Sequence, residues 1–399
     1  MKRLLMLGGS MQQIPAIKKA KELGNYVITC DYLPDNPGHA FADEYFNVST
    51  TDRNAVLELA KKMNIDGIIA YASDPAAPTA AYVSEHLGFS TSPLSSVEIL
   101  TQKDLFRQFL RDHGFKTPHF FGCNTYEEAI EKIDTLRFPV MVKPVDSSGS
   151  KGVTKIYTKD ELSQAFEEAM TYSRSKRVIV EEFIVKQGYQ VSGDGFSLDG
   201  KMVFTSYGNE LYDGDGLREY VALGEFWPSL FSEPMLSRVD AELQRLISAL
   251  KMKTSAYNIE VIIDIHDDVY ILELGPRNGG SYIPQLIQYA TGVDLVEYTI
   301  LAAMGEDCST LERAETVGFW SNYMLLSKVS GKFNSIWMTD EFRDNNLVDV
   351  YCTHAIGDEV HAYQNTTHSL GTILFKAKSL EEMLRITQEP ERYFRVVTD

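Results

Sequence analysis

Cysteine is scarce in this chain and is never paired within a short motif. The 399 residues contain four cysteines, and no two of them form a Cys-x-x-Cys motif. They are Cys30, Cys123, Cys308 and Cys352. The sequence therefore predicts neither a zinc site nor a disulfide framework, and a cytoplasmic location is expected.

The chain also lacks long apolar runs and an excess of positive charge. No window approaches the roughly 18 apolar residues that are needed to span a bilayer. The apolar start at Leu4–Leu7 leads straight into a glycine turn, which predicts a first β-strand rather than a secretory segment. The net charge of −18 argues against nucleic acid or an anionic membrane as the main partner.

The beginning of the chain predicts a doubly wound α/β unit. Residues 4–7 form a strand, Gly8–Ser10 a turn, residues 12–23 a helix and residues 26–30 a second strand. Folds of this type bind ligands at the carboxyl ends of their strands. A dinucleotide site is disfavoured, because the later glycines of Gly-x-Gly-x-x-Gly are missing. We expect this domain to end near Pro93.

A glycine-punctuated loop after a β-strand is the clearest phosphate-binding signal. A β-rich run ends at Lys143 and leads into the polar loop Asp146–Gly152. Gly149 and Gly152 have no Cβ, so the loop backbone can approach an anion, and Lys151 adds a second ammonium. The spacing excludes a Walker-type P-loop. The alternative is a surface hairpin with a solvated lysine.

A predicted β-hairpin carries two lone carboxylates. Its two strands, in the segments 257–264 and 269–280, contain Glu260 and Glu273 in apolar surroundings. In a hairpin these carboxylates can lie opposite each other, where they repel unless a cation binds between them. Mg²⁺ is the natural candidate, and Arg277 can present a planar fork to an anion nearby. The alternative is that each glutamate pairs with a surface lysine.

Two further segments carry charges whose partners the sequence does not reveal. The predicted helix at residues 95–113 places Lys103 and Arg107 one turn apart on one face. A helical lysine of this kind is ordinarily solvated. A later strand carries Glu181 and Glu182 together, and buried carboxylates need partners or water.

For the remaining segments the sequence predicts secondary structure but no specific chemical role. Residues 210–224 are rich in glycine and charge, which predicts a mobile loop. The tail is predicted to be mixed α/β, with strands near residues 321–326, 349–352 and 369–375 and a last helix from about Leu380.

The order of these features resembles the ATP-grasp superfamily of carboxylate–amine ligases, in the branch of carbamoyl phosphate synthase, biotin carboxylase and the purine-biosynthetic ligases. The resemblance implies an α/β and α+β architecture in three parts. A Rossmann-like domain (residues 1–93) precedes a two-subdomain ATP-grasp domain (94–310), whose small nucleotide-lid subdomain covers about 115–185. A C-terminal α/β subdomain (311–399) completes the fold.

The resemblance also implies a role for each site residue. Those implied to bind ATP are Lys103, Lys143, Ser147, Ser148, Gly149, Ser150, Lys151, Gly152, Glu181, Glu182, Phe183, Ile184 and Gln190. Those implied to act in catalysis are Arg277, Lys143 and Glu273. Glu260 and Glu273 match the magnesium carboxylates. The backbone of Glu182 and Ile184 is implied to meet the adenine edge.

The chain departs from the family pattern at two positions. Gln190 stands where many members have a glutamate that binds the ribose. The Glu-x-Asn metal motif reads Glu273-Leu274-Gly275, so its asparagine is missing, although Asn278 could compensate. The number of bound metals therefore stays open.

The implied reaction uses ATP with Mg²⁺, or Mn²⁺ in its place. A substrate carboxylate becomes an acyl phosphate with release of ADP, and an amine then displaces phosphate to form an amide or peptide bond. Two alternatives are an ATP-dependent carboxylase that uses bicarbonate and a non-catalytic ATP-binding sensor. The expected partners are small-molecule carboxylates and amines, with no nucleic acid and no membrane, and a homodimer is the base-rate expectation.

The substrate pocket is the least defined part of this prediction. Arg218 and Tyr212 of the predicted loop could meet a substrate carboxylate. Gly9 and Asp74 of the front domain could line the acceptor pocket.

Overall fold

The computed structural model describes residues 1–214 and 219–399. The front of the chain folds into a parallel four-stranded sheet with the strand order β3-β2-β1-β4. Its elements are β1 (Arg3–Leu7), α1 (Ile14–Glu22), β2 (Tyr26–Asp31), β3 (Glu44–Asn47), α2 (Arg53–Met63), β4 (Gly67–Ile69) and α3 (Ala77–Leu87). The predicted βαβ start is confirmed, whereas β3 was not expected.

Local sequence signals set the ends of helix α2. The Asp52 carboxylate accepts a hydrogen bond of 3.0 Å from the Ala55 N–H, which satisfies one of the free donors at the helix start. The helix ends at Asn64, which adopts the left-handed conformation that asparagine tolerates better than most residues.

A second, antiparallel sheet has the order β5-β8-β6-β7. Two helices lead into it, and this part of the chain comprises α4 (Leu94–Leu100), α5 (Lys103–Asp112), β5 (Phe120–Cys123), α6 (Tyr126–Lys132), β6 (Val140–Pro144), β7 (Thr154–Ile156), α7 (Leu162–Tyr172) and β8 (Val178–Glu182). The single helix predicted for residues 95–113 is in fact two, because the chain breaks at Thr101 and Gln102.

The largest sheet has eight strands and draws on two parts of the chain. The first part supplies β9 (Gln190–Leu198), β10 (Lys201–Tyr212), β11 (Ala222–Trp227), α8 (Glu233–Ala249), β12 (Ser255–Ile263), β13 (Val269–Gly275), α9 (Ile283–Thr291) and α10 (Leu295–Ala303). The tail supplies β14 (Phe319–Met324), β15 (Gly331–Met338), α11 (Asp340–Asn345), β16 (Leu347–Cys352), β17 (Glu359–Val360), β18 (Gly371–Ala377), α12 (Leu380–Gln388) and β19 (Phe394–Thr398).

The strand order of this sheet is β13-β12-β9-β10-β11-β14-β18-β16. The other three tail strands form a small sheet, β17-β15-β19, that the sequence did not predict. Three strands of the tail therefore extend the sheet formed by the middle of the chain. The domain limits at residues 93 and 310 stay a prediction.

Alternation along β12 gives the eight-stranded sheet two different faces. Ile259 and Val261 belong to the largest hydrophobic cluster, which packs against helices α5 and α8. Asn258, Glu260 and Ile262 point to the opposite face and line a cavity. This period of two is the pattern of a strand with one face in the core.

The predicted mobile loop at residues 210–224 is wrong at both ends. Strand β10 continues to Tyr212 and β11 begins at Ala222, and Glu210 is buried between strands. Polar composition suggested a loop here, but these polar side chains face a cavity rather than bulk solvent. Arg218 lies outside the described residues.

None of the described helices is both long and apolar enough to cross a membrane.

Gly193 in β9 offers a test of how closely the central strands pack. Its φ of +155° disfavours any side chain, and a Cβ there would lie 2.0 Å from the Ser206 carbonyl oxygen of β10. We expect Gly193→Ala to lower the free energy of unfolding by at least about 2 kcal/mol, measured by urea denaturation. Gly24→Ala is the control, because Gly24 has a φ of +79° but no heavy atom within 4 Å of its Cβ position. An equal loss in both variants would contradict this account.

Candidate active site

The described residues enclose a cavity of about 780 Å³ over the polar face of the eight-stranded sheet. Its walls are formed by the front domain, by the loop Asp146–Gly152, called the phosphate loop below, by strand β8, by the eight-stranded sheet and by the tail. Lys103, Lys143, Glu260, Glu273 and Arg277 line this one cavity, although more than 170 positions separate the first from the last. The convergence expected from the sequence is therefore present.

A buried ion triad connects the cavity to helix α5. The Glu181 carboxylate accepts hydrogen bonds from Arg107 Nε at 2.8 Å and from Lys143 Nζ at 2.6 Å. Arg107 Nη1 also donates to the Leu272 carbonyl oxygen at 2.9 Å. Burial alone would raise the pKa of Glu181, but Arg107 and Lys143 outweigh it and lower the pKa to about 2. Glu181 therefore holds Lys143 in place, and the alternative of a solvated strand lysine is wrong.

Lys103 stands at the start of α5 and bridges two parts of the cavity. Its Nζ lies 3.1 Å from Glu273 Oε2 and donates to the Ser147 carbonyl oxygen at 2.8 Å. Burial opposes its charge, but Glu273 outweighs that effect and raises the pKa of Lys103. The expectation of a solvated helical lysine does not hold, since the side chain is 18% exposed.

Glu260 and Glu273 lie directly opposite each other in the β12–β13 register, as the hairpin pattern predicted. The pKa of Glu260 is raised well above its ordinary value by burial, by Glu210 and by Glu273. Lys103 and Arg277 lower it, but they do not outweigh these effects. Two like charges at this spacing favour a bound cation.

The sequence analysis did not identify two further carboxylates of the site, Glu210 and Glu225. They are opposite each other on β10 and β11, both are 8% exposed, and both line the cavity. Burial raises the pKa of each to about 8, with Glu225 adding to the effect on Glu210 and Glu260 adding to that on Glu225. The alternation of β10 would have identified Glu210 if the strand had been continued to Tyr212.

The donor set fits a hard divalent cation that shares its shell with phosphate. Among the described residues no group of three or more His, Cys, Asp or Glu side chains is placed to hold a metal. The pair Glu260 and Glu273 supplies only carboxylate oxygens beside an open cavity, which suits Mg²⁺ or Mn²⁺ completed by phosphate oxygens and water.

Arg277 is held by the front domain. Its Nε donates to Asp74 Oδ1 at 2.8 Å and its Nη2 donates to Asp74 Oδ2, so the planar fork is bidentate. Nη1 donates to the Asn278 carbonyl oxygen at 3.0 Å. Burial opposes the charge of Arg277, but Asp74 raises its pKa above the ordinary value. Asp74 therefore positions Arg277 at the cavity wall.

Three of the predicted site residues do not line the cavity, namely Gly9, Gly152 and Asn278. Asn278 is fully buried, and its Oδ1 accepts a hydrogen bond of 2.9 Å from the Thr299 hydroxyl, so the structure places it away from Glu260 and Glu273. Gly9 packs under the His39 ring, where a Cβ would lie 2.1 Å from the ring, and its neighbour Ser10 lines the cavity instead. Sequence spacing alone could not show the direction of these residues.

The phosphate loop reaches the tail of the chain. Ser147, Ser148, Gly149, Ser150 and Lys151 line the cavity. Gly149 has a φ of +69°, and its carbonyl oxygen accepts a hydrogen bond of 2.8 Å from the Thr366 hydroxyl.

Gly152 has a different place from the rest of the loop. It packs against α7, where a Cβ would lie 3.1 Å from the Ala169 Cα. Close packing of the loop against this helix, rather than contact with the cavity, accounts for a glycine at this position.

The segment after β8 forms another wall of the cavity. Glu182, Phe183 and Ile184 line it, and so does Tyr212. The Glu182 carboxylate is held by Arg137 Nη2 at 2.9 Å, and the Phe183 ring lies 4.0 Å from Lys155 Nζ.

Gln190 links two carboxylates on the cavity floor. Its Nε2 donates to Glu260 Oε2 at 3.2 Å and also to Glu210. The neutral side chain at this position therefore separates two acidic groups that a glutamate would bring into direct repulsion.

Two family models match parts of the chain. Residues 111–213 match the model described as D-ala D-ala ligase C-terminus, and residues 323–399 match the model described as L-amino acid ligase C-terminal domain 2. The two matches cover the cavity-lining loop with β8 and the tail that extends the sheet.

Named relatives match about two thirds of the chain. The chain is 24% identical over 269 residues to the carbamoyl phosphate synthase large chain of Thermotoga maritima, a match of 67% of this chain and 24% of that protein. It is 26% identical over 281 residues to the formate-dependent phosphoribosylglycinamide formyltransferase of Bacteroides thetaiotaomicron, covering 69% of this chain and 71% of that one. The chain thus spans about a quarter of the length of the carbamoyl phosphate synthase chains that it matches.

A solved structure is similar over the whole chain. The L-amino acid ligase from Bacillus licheniformis superposes with a TM-score of 0.83 at 20% identity, covering 100% of this chain and 99% of that one. At this identity the likeness shows a shared fold. The fold class predicted from the sequence is confirmed.

The low pKa of Glu181 in the ion triad predicts a contribution to stability that depends on pH. The folded pKa of about 2 lies below the ordinary 4.5, so the stabilisation is fully present above pH 4.5 and is lost as the pH falls towards 2. We expect Glu181→Gln to lower the free energy of unfolding at pH 7 by about 3 kcal/mol, and the difference from the wild type to shrink below pH 4.5. Urea denaturation at pH 7, 5 and 3.5 measures this.

The neighbouring carboxylate provides the control for that experiment. Glu182 pairs with Arg137, whose side chain is 85% exposed, so Glu182→Gln should change the stability by less than about 1 kcal/mol. A stability loss for Glu181→Gln that is the same at every pH would contradict the assigned charge state.

Proposed function

As a member of the ATP-grasp superfamily, this chain brings two lysines, two facing glutamates and an arginine to one cavity, and we propose that it is an ATP-dependent carboxylate–amine ligase. It would activate a carboxylate as an acyl phosphate and couple it to an amine, releasing ADP and phosphate. The observation that carries the proposal is the convergence of Lys103, Lys143, Glu260, Glu273 and Arg277 from distant parts of the chain.

The comparisons support bond formation between a carboxylate and an amine in particular. The tail matches a model of an L-amino acid ligase, and an enzyme of that name covers this chain from end to end in structure. An amide or peptide bond is therefore the proposed product.

The nucleotide is proposed to bind between the two sheets that form the cavity. The backbone of Glu182 and Ile184 would meet the adenine edge, and Phe183 would pack against the base. Gln190 would bond a ribose hydroxyl, although it also separates Glu210 from Glu260. Lys103, Lys143 and the loop from Ser147 would contact the phosphates, since their donors face the cavity.

Glu260 and Glu273 would hold Mg²⁺, which when bound neutralises charge on the phosphates of ATP. The chain's own residues do the rest of the positioning. Lys103 binds both Glu273 and the phosphate loop, so it links the metal carboxylates to the loop. Glu181 accepts a hydrogen bond from Lys143 Nζ and so holds this side chain at the cavity wall. Arg277 presents its guanidinium at the wall because Asp74 fixes its orientation.

The proposed chemistry has two steps. A carboxylate oxygen attacks the γ-phosphorus of ATP, the bond from the γ-phosphorus to the bridging oxygen breaks, and ADP leaves. The amine nitrogen then attacks the acyl carbon, phosphate leaves, and the nitrogen loses a proton. Lys103, Lys143 and Arg277 stabilise the charge that moves between these groups. The phosphate loop and the tail close over the cavity at Gly149 and Thr366 and keep water from the acyl phosphate.

The substrates, the location and the assembly of the protein stay predictions. The substrates are proposed to be small molecules. A cytoplasmic location fits the unpaired cysteines, and a homodimer is the expected assembly.

A screen of carboxylic acids and amines tests the proposed function. We expect ADP release only when ATP, Mg²⁺, an acid and an amine are all present, with loss on chelation by EDTA and recovery with Mg²⁺. Glu273→Gln should lower the rate about a hundredfold to a thousandfold, because it removes a charge from the metal pair. The exposed Glu312→Gln is the matched control and should keep full activity.

Other outcomes of the screen would overturn the proposal. ADP release that depends on bicarbonate and needs no amine would make the chain a carboxylase. Binding of ATP without release of ADP under any combination would make it a sensor.

A further inference from the structure

The turn between strand β13 and helix α9 carries Arg277 and has little rigidity of its own. Three of the six residues from Gly275 to Gly280 are glycine, which leaves the backbone free to adopt many conformations. The hydrogen bonds from Arg277 to Asp74 fix the guanidinium group. They bind the side chain, so the backbone of the turn depends on other contacts.

A buried carboxyl group lies under the far side of this turn. Asp194 of β9 is fully buried, and its Oδ1 and Oδ2 share the Gly279 N–H at 3.0 and 2.9 Å. Oδ1 also accepts a hydrogen bond of 3.2 Å from Asn258 Nδ2. The sequence analysis did not identify Asp194, and it is not one of the described residues that line the cavity. Any effect of Asp194 on the cavity must therefore pass through the turn.

The sheet places Asp194 at the distance that the turn has to cross. Gly275, Asn258 and Asp194 are opposite one another in register on β13, β12 and β9. The chain leaves the sheet at Gly275 and passes over Asp194, two strands away, which corresponds to roughly 10 Å. The carboxyl group therefore holds the end of the turn that is opposite to its start, with Arg277 between the two ends.

The contact between Asp194 and Gly279 leaves no room for a larger residue in the turn. A Cβ on Gly279 would lie 2.7 Å from Asp194 Oδ1 and 2.8 Å from Ile283 Cδ1. Gly279 is not one of the described glycines with a positive φ, so its backbone conformation does not require glycine. The close approach of the carboxyl group is what requires it.

The residues that follow are held in a costly backbone conformation. Ser281 and Tyr282 have φ values of +51° and +62°, which residues other than glycine rarely adopt. Gln12 Oε1 accepts a hydrogen bond of 3.1 Å from the Ser281 N–H, and Asn322 Nδ2 donates to the Ser281 carbonyl oxygen at 2.9 Å. Strained backbone persists only where its surroundings hold it. The turn is therefore held on both sides of Gly280.

A carboxyl group at position 194 is costly, which indicates that it has a use. Burial raises the pKa of Asp194 to about 7, although the hydrogen bonds from Gly279 and Asn258 and the charge of Arg277 lower it. An apolar residue of similar size would avoid the cost of burial, but it could not accept the Gly279 N–H. The contact with the turn accounts for the carboxyl group.

We propose that Asp194 is a positioning residue for Arg277, because it fixes the backbone of the turn as Asp74 fixes the guanidinium. The inference rests on the proposed ligase function, in which Arg277 stabilises the charge that moves during phosphoryl transfer. Asp194 itself touches neither nucleotide nor substrate. A displacement of about 1 Å can cost about a hundredfold in rate, so loss of this contact lowers kcat while Lys103 and Lys143 still bind the nucleotide.

Hydrogen exchange in the variant Asp194→Asn tests the contact with the turn. The variant keeps the shape of the side chain, but its NH₂ group meets the Gly279 N–H donor to donor, whichever oxygen it replaces. We expect the amides of residues 277–282 in the full chain to exchange about tenfold to a hundredfold faster at pH 8, above the pKa of Asp194. Mass spectrometry measures this. Unchanged exchange in these residues overturns the inference.

A kinetic double-mutant cycle tests whether Asp194 acts through Arg277. Rates of ADP release are divided by the number of sites that bind a non-hydrolysable ATP analogue, so misfolded protein is not counted. We expect Asp194→Asn to lower kcat about tenfold to a hundredfold, with the affinity for the analogue within twofold of the wild type. The double variant should be no slower than Arg277→Gln alone. Losses that multiply in the double variant contradict an action through Arg277.

Asp264→Asn is the matched control. Asp264 is 8% exposed and accepts hydrogen bonds from the N–H groups of His266 and Asp268 at 2.8 and 2.9 Å. It lies at the other end of the β12–β13 hairpin, so this variant should keep kcat within twofold. Gly279→Ala is the second variant, since its Cβ pushes the carboxyl group of Asp194 away from the N–H. It should reproduce both effects if Asp194→Asn does not fold.

The outcomes separate this inference from the proposed function. A wild type that releases no ADP with any acid and amine overturns the ligase function, whereas faster exchange confined to the turn in Asp194→Asn still supports the contact. An active wild type together with an unchanged kcat in Asp194→Asn leaves the ligase function standing and removes the positioning role.

Discussion

The cost of burying several carboxyl groups together on the floor of the cavity is the constraint on which this structure depends. Glu210, Glu225, Glu260 and Glu273 are carried by neighbouring strands of one sheet, and the cost of burying a carboxylate without a partner is large. The sheet itself supplies no cation to offset them. Partners must come from elsewhere, and within the described part of the chain Lys103 of α5 forms an ion pair with Glu273.

This charge balance explains why the site is assembled from such distant segments. Lysine or arginine side chains on the sheet strands would neutralise the floor permanently and leave no place for a metal with its phosphates. Lysine and arginine side chains on a helix and on turns can reach the edge of the cavity without filling its centre. The two sheets are linked in the same way, since Arg107 of α5 bonds both Glu181 and the Leu272 carbonyl oxygen.

Some parts of the site could be predicted from the sequence because their geometry is local. The register of Glu260 with Glu273 follows from two alternating strands joined by a short turn. The partners of Lys103 and Arg107 were not predicted, because they lie 170 and 74 positions away along the chain. Glu225 was missed because its strand reads as ordinary apolar sequence. Polar residues near Tyr212 were taken for a loop because composition does not distinguish a wet cavity from bulk solvent.

The ion pair between Asp74 and Arg277 spans 203 positions and joins the first sheet of the molecule to the cavity wall. Removing the front domain would therefore change the cavity wall. A fragment that begins after the front domain would retain every lysine and glutamate discussed above, but its Arg277 would lose the carboxylate that orients it. The front domain is therefore part of the candidate active site, and its exchange between homologues would have to preserve Asp74.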